Sequence, residues 1–265
     1  MKPRLGAVPP YLNTQPLVVA LERDPAPFAL SYLVPSRCAR ELADGTIDVG
    51  IIPVIEYARS ARPYWIVPDI AIGSQGPVVT VRLFCRRPLP QVERIALDTS
   101  SRTSVALLSI LLREKFALDP QLIEAPPDLE DMLECADAAL LIGDQVFPHL
   151  DGDVESLDLG WEWTAMTGLP FVFAFWAGHQ QALTPAHVQQ LQRAKDQGVC
   201  QAPSIAAAYS RECGGSPEFY ERYLTCHIRF DLDEAAQAGL QLFYQLAHRH
   251  GLIDAVPPLR FYPAA

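Results

Sequence analysis

Basic runs, clustered histidines and paired cysteines are all missing from this chain, and each absence removes a class of function. The formal net charge is −10 and no stretch of Lys and Arg opposes it. A nucleic-acid or anionic-membrane surface is therefore not expected, because such surfaces draw their affinity from gathered cations. No uninterrupted apolar segment reaches the roughly 20 residues of a membrane span. The opening MKPRLGAVPPYLN lacks the apolar stretch of a secretory signal and reads as a strand and a turn, which predicts a cytoplasmic protein. Cys38, Cys85, Cys135, Cys200, Cys213 and Cys226 lie far apart with no C-x-x-C, so neither a zinc knuckle nor a redox pair is signalled, and reduced, mostly buried thiols are expected. His149, His179, His187, His227, His248 and His250 all fall outside the candidate loops described below, so local spacing offers no Ser-His-Asp or Cys-His relay and no metal cluster. Chemistry is left to carboxylates, hydroxyls, amides, arginine or the ligand itself.

What is present is a globular composition, 49% hydrophobic and 20% charged over 265 residues, which suits one or two domains. The first 60 residues alternate: a strand at Leu5 to Val8, a helix after Asn13-Thr14, a strand at Ala29 to Val34, a helix opened by Ser36 and closed at Gly45, then the buried strand IDVGIIP. A second unit repeats the pattern with RIALD (94–98), a helix from about Ser104 to Phe116, LIEA (122–125), a helix at Leu129 to Cys135, and AALLIGD (138–144). Such alternation predicts parallel sheets covered by helices. Two apolar runs, VVTVRLFC (78–85) and FVFAFWA (171–177), bracket the second unit, as if the chain leaves one lobe through the first and returns through the second. From Pro185 the periodicity is helical, and the tail VPPLRFYPAA reads as a surface wrap. Ligands of open α/β sheets settle beyond the carboxyl ends of strands, which directs attention to the loops after residues 8, 53, 98 and 142.

The stretch DTSSRTS at 98–104 joins a strand to a helix and carries Ser100, Ser101, Arg102 and Thr103. A helix N-terminus rich in donors suits a carboxylate or phosphate, although one of these hydroxyls is enough for an ordinary cap. Ser74, Gln75 and Gly76 precede the first crossing run and form either a ligand-contacting loop or a plain turn. Asn13, stiffened by Pro9, Pro10 and Pro16, faces a ligand or bonds its own backbone. Gly143 and Asp144 follow an apolar strand, where a site residue and a helix cap are both at home. Glu56 and Tyr57 are pocket residues or lie on a solvated face, and Trp161 and Trp163 read as packing.

The segments YLNTQPL, ELADGTIDVGIIPVIEYAR, YWIVPDIAIGSQGPVVTVRLF, ALDTSSRTSVALLSILL, AALLIGD and TGLPFVFAFWA, in order through about residues 5–177, together resemble the chorismate dehydratase family of the futalosine-type menaquinone pathway. One departure is Pro10 before YLN, where Ser is expected. The resemblance implies a two-lobed α/β fold like the type II periplasmic binding proteins, each lobe a mainly parallel sheet with flanking helices. The expected division is a discontinuous larger lobe of residues 1–86 and 172–265 and an inserted smaller lobe of 87–171, with the ligand between them. It also implies a hydro-lyase that converts chorismate to 3-[(1-carboxyvinyl)oxy]benzoate with no redox cofactor or metal, its partner a small-molecule substrate. On that reading Ser100, Ser101, Arg102 and Thr103 fix a substrate carboxylate, Ser74 to Gly76 hold the opposite side, Asn13 orients the ring or leaving hydroxyl, and Gly143-Asp144 complete the site. The base is Asp144 or the substrate's own enolpyruvyl carboxylate, the latter favoured because a further anion beside a dianion repels it. The alternatives are the 1,4-dihydroxy-6-naphthoate synthase of the same pathway and a non-catalytic binding protein for a small dicarboxylate.

Overall fold

Short runs of Val, Ile and Leu that are apolar on both faces build the strands, and amphipathic segments between them build the covering helices. The computed structural model describes residues 2–7, 11–24, 27–33, 35–98 and 102–264. In the first sheet β1 (Arg4–Ala7) pairs in parallel with β2 (Ala29–Tyr32) on one side and β3 (Val49–Pro53) on the other. The short strands β4 (Trp65–Ile66) and β5 (Ile72–Ser74) complete it through β11 (Phe171–Gly178), which runs antiparallel to β3, β4 and β5. The second sheet has the order β10-β6-β9-β7-β8, formed by β6 (Val81–Cys85), β7 (Arg94–Asp98), β8 (Gln121–Ala125), β9 (Ala138–Ile142) and β10 (Glu155–Asp158).

Both sheets are mixed, a correction to the mainly parallel expectation. Each keeps a parallel trio, β2-β1-β3 and β8-β7-β9, while the strands that carry the chain across, β6 and β11, enter antiparallel to it. By its hydrogen bonds β6 belongs to the second sheet, between β9 and β10, although a boundary at residue 86 groups it with the first.

The helices are α1 (Gln15–Arg23), α2 (Pro35–Ala43), α3 (Val54–Arg59), α4 (Arg102–Glu114), α5 (Leu129–Cys135), α6 (Leu159–Thr167), α7 (Pro185–Cys200), α8 (Ala202–Cys213), α9 (Pro217–Arg222) and α10 (Glu234–Arg249). Helices α1 and α7 meet so closely that a Cβ on Gly198 would lie 1.8 Å from the Pro16 carbonyl oxygen. Trp163 is fully buried and its indole donates to the Pro170 carbonyl at 3.1 Å, whereas Trp161 is solvent-facing. The tail wraps the surface and is pinned to it: Phe261 bridges Ile66, Tyr262 is buried, and the Tyr57 hydroxyl donates to the Pro258 carbonyl at 2.8 Å. Only Cys38 and Cys85 are buried thiols, and Cys135, Cys200, Cys213 and Cys226 are exposed. Among the described residues no helix is long and apolar enough to cross a membrane.

The first crossing carries strain. Val79 has φ 70°, a left-handed conformation that costs a β-branched residue about 1–3 kcal/mol. The buried Asp158 carboxylate holds it there, accepting the backbone N–H of Val78 at 3.0 Å and of Val79 at 2.7 Å. Asp158 also caps α6 through the Trp161 N–H at 3.1 Å.

Candidate functional site

Several chain segments converge on one cleft: Tyr11 to Thr14 beyond β1, the end of β3, Ile72 of β5, Val78 to Val81, the start of α4, the end of β9, and Phe173 and Ala174 of β11. The cleft between them encloses about 690 Å³, open solvent included. Its walls are apolar, with Ile51 and Pro53 of β3, Ile72, Val78, Ile142 and Phe173. The polar edge consists of Tyr11, Asn13, Thr80, Arg102, Thr103 and Ser104, with Gly143 beside them. An apolar slot with a few directed donors is the usual form of a small-molecule site. Among the described residues no three His, Cys, Asp or Glu side chains gather to hold a metal ion.

The donors are fixed by contacts that run between segments far apart in sequence. Arg102 Nη1 donates to Glu56 Oε2 at 2.7 Å, joining the first turn of α4 to α3. Beside it the Ile55 N–H reaches Thr103 Oγ1 at 3.4 Å. Glu56 keeps its second carboxylate oxygen buried without a hydrogen-bond partner, so the pair is a part-buried, charge-assisted contact rather than a solvated one. Guanidinium has five N–H donors, and those beyond the one given to Glu56 suit a substrate carboxylate. At the other flank the Leu12 N–H is accepted by both Asp144 oxygens, at 2.9 and 3.1 Å. Burial raises the Asp144 carboxyl to about 6, against the opposing bonds from Leu12 and Tyr209. Gly143 has φ 75°, and a Cβ there would lie 2.7 Å from the Tyr11 ring, so glycine is demanded by both conformation and space.

The sequence-predicted residues divide. Asn13, Arg102, Thr103 and Gly143 line the cleft, and Asp144 stands directly behind Gly143 with its carboxylate on Leu12. Ser100 and Ser101 lie outside the described residues. Ser74, Gln75 and Gly76 do not line the cleft. The Ser74 hydroxyl is buried with no hydrogen-bond partner and points at α6, where a Cβ on Gly160 would sit 2.6 Å from it. Gln75 turns to solvent and accepts from Arg229, and the Gly76 N–H donates to Thr164 Oγ1 at 2.9 Å. Thr80, four residues on, lines the cleft instead, whereas residues 74–76 fall between the lining residues Ile72 and Val78 without joining them. Thr80 is one of two polar residues, with Arg82, in the apolar run VVTVRLFC, and that was the available signal for it. Glu56 sits in its ion pair, not on a solvated face. Tyr209 and Tyr223, which reach this region from the C-terminal helices, leave no local signal at all.

The sequence pattern of the menaquinone biosynthesis family matches residues 3–249. The chain is 33% identical over 261 residues to the chorismate dehydratase of Thermus thermophilus, an alignment covering 92% of this chain and 94% of that one. In three dimensions it resembles a protein from Archaeoglobus fulgidus with a TM-score of 0.75 at 20% identity, covering 94% of this chain and 98% of the other. The alkanesulfonate-binding protein SsuA from Xanthomonas axonopodis pv. citri, bound to MOPS, superposes with a TM-score of 0.67 at 17% identity, covering 97% and 94%. At such identities the structural likeness carries the two-lobed periplasmic-binding-protein fold and nothing more. The chain belongs to the menaquinone biosynthesis family.

Proposed function

We infer that this chain is a carbon-oxygen lyase that dehydrates chorismate to 3-[(1-carboxyvinyl)oxy]benzoate, acting in the cytoplasm. The observation that carries the reading is the cleft itself, an apolar slot whose polar edge holds Arg102, Thr103 and Asn13, in a chain so similar to a chorismate dehydratase.

The reaction breaks the C3–H bond and the C4–O bond. The electron pair left at C3 becomes part of the ring π system as hydroxide departs from C4, and that hydroxide takes up a proton to leave as water. Aromaticity supplies the driving force, so the protein's task is orientation and charge compensation. Arg102 and the N-terminal turn of α4 bind one carboxylate, with Ser100 and Ser101 as further donors by their position in the sequence. Asn13 hydrogen-bonds the departing C4 hydroxyl, and the apolar walls hold the ring and exclude solvent. The enolpyruvyl carboxylate takes the C3 proton. Asp144 is ill placed for that step, since both of its oxygens already accept the Leu12 N–H and a further anion would repel the dianionic substrate.

Purified protein incubated with chorismate is expected to form an aromatic benzoate 18 mass units lighter, followed by absorbance and mass spectrometry. Recovery of unchanged chorismate from a saturated complex would mark a binding protein. Turnover only of the larger cyclic futalosine derivative to 1,4-dihydroxy-6-naphthoate would mark the other enzyme of the pathway.

A further inference from the structure

Tyr223 is not among the cleft-lining residues, yet its hydroxyl touches one of them, Thr80. Tyr223 begins a short π-helical turn, Tyr223–His227, between α9 and the last helix, a local widening that recurs at functional positions. The segment after that turn is stapled to the first sheet: Arg229 and Gly73 exchange backbone hydrogen bonds at 2.8 and 2.9 Å, and the Ala71 N–H donates to the Phe230 carbonyl at 3.0 Å. The turn is thereby held in place, and the Tyr223 ring is fully buried, edge-on to Phe147 at 5.2 Å. Its hydroxyl lies 2.8 Å from Thr80 Oγ1, and the nearby Asn13 side chain is among the groups that act on it. Burial raises its pKa far above the ordinary phenol value, so it stays an O–H with one proton to give and two lone pairs to offer. Thr80 and Asn13 both line the cleft, one just past the Val79 kink and the other in the turn beyond β1, and the buried Tyr223 hydroxyl bonds the first and neighbours the second.

We propose that Tyr223 is a positioning residue, its hydroxyl fixing the Asn13 amide and Thr80 Oγ1 in the orientation that meets the substrate's departing hydroxyl. The inference rests on the dehydratase reading. A primary amide rotates freely about its last bond unless a partner holds it, and a misoriented donor costs about 10-fold to 100-fold in rate while leaving ground-state affinity intact. Phenylalanine keeps the packing against Phe147 and removes only the oxygen.

The test compares wild type with Tyr223→Phe in steady-state assays on chorismate, in thermal unfolding, and in crystal structures with the benzoate product. A kcat at least about 10-fold lower, a KM within about twofold, an unchanged unfolding midpoint and a rotated Asn13 amide are expected. An unchanged kcat, or a lowered kcat with the Asn13 amide where it was, overturns the proposal. Should Tyr223→Phe fail to fold, Thr80→Val and Thr80→Ser decide: Val is expected to lose kcat and Ser to restore it, and equal behaviour of the two overturns it. Wild type that forms no benzoate refutes the functional reading instead, and the Asn13 orientation in the two crystals still judges the role of Tyr223.

Discussion

Replacing Asp144 by Asn should change how stability depends on pH, with a sign opposite to that of most carboxylates. Salt-bridged carboxylates titrate lower in the folded protein and stabilise it as pH rises. Asp144 titrates higher, from 3.8 to about 6, because burial outweighs the Leu12 and Tyr209 bonds. The folded chain thus holds this proton more tightly than the unfolded chain, and the associated stability is complete below pH 3.8 and lost as pH climbs to about 6. At 1.36 kcal/mol per decade the loss is about 3 kcal/mol. Asn cannot ionise and keeps an oxygen for the Leu12 N–H, so it is free of that loss. Measured as the difference in Tm between Asp144→Asn and wild type, the gap should be small near pH 4, widen through pH 6 and level off above it. For a chain of this size about 3 kcal/mol corresponds to about 6 °C. Using the difference cancels every other titrating group common to both proteins. A gap that is constant from pH 4 to 7.5 would refute the claim that burial governs this carboxyl. With the substrate's carboxylate as the proposed base, the same variant should retain the chemical step in single-turnover assays; loss of turnover with binding intact would make Asp144 the base after all.

Arg102→Ala should raise KM for chorismate about 10-fold to 100-fold, the value of a charge-assisted bond of about 1.5–3 kcal/mol, and Arg102→Lys should recover only part of this because a point charge cannot serve Glu56 and a substrate carboxylate in one plane. Steady-state kinetics with both variants check it. Gly198→Ala should destabilise the protein by about 1–3 kcal/mol in urea titrations, although alanine is ordinarily the better helix former by about 1 kcal/mol. The reversal follows from the added Cβ, which would lie 1.8 Å from the Pro16 carbonyl oxygen and push α7 off α1.

The alternation of strands and helices was legible because each element announces itself locally: β3 is apolar at every position and buried at every position, and α5 spans the same residues, 129–135, that its pattern indicates. Strand direction was not legible, since a crossing strand such as FVFAFWA has the same composition whether it runs with or against its neighbours. Part of the cleft lining was legible for a similar reason. Asn13, Arg102, Thr103 and Gly143 sit where a strand ends, and the strand ends converge in this class of fold. Ser74 and Gln75 fall outside the cleft lining although Ile72 and Val78 on either side belong to it, and the local backbone is held by Asp158, a contact between residues about 80 apart. No window on the sequence spans such a contact. Tyr223 is farther still from Thr80, by 143 positions.

A cleft between two lobes is shared with proteins that only bind, so the difference between holding chorismate and dehydrating it must lie in what the cleft does to the ring's two reacting carbons. If the base arrives on the substrate, the protein needs no catalytic carboxylate or imidazole. What it needs is that the enolpyruvyl arm be folded over C3 and the C4 hydroxyl be held by a donor as it departs. Both are matters of geometry, set by contacts that cross the cleft: Leu12 to Asp144 on one flank, Arg102 to Glu56 on the other, and Tyr223 joining Asn13 to Thr80 between them. Fixing reactants in this way has an effective molarity of about 10⁵–10⁸ M in well-oriented systems, large enough to supply much of the acceleration of an elimination whose product is aromatic. On this reading the cross-cleft contacts act through orientation, and a variant that loosens the Tyr223 contacts should lose rate before it loses affinity, whereas loss of the Arg102 guanidinium should cost affinity.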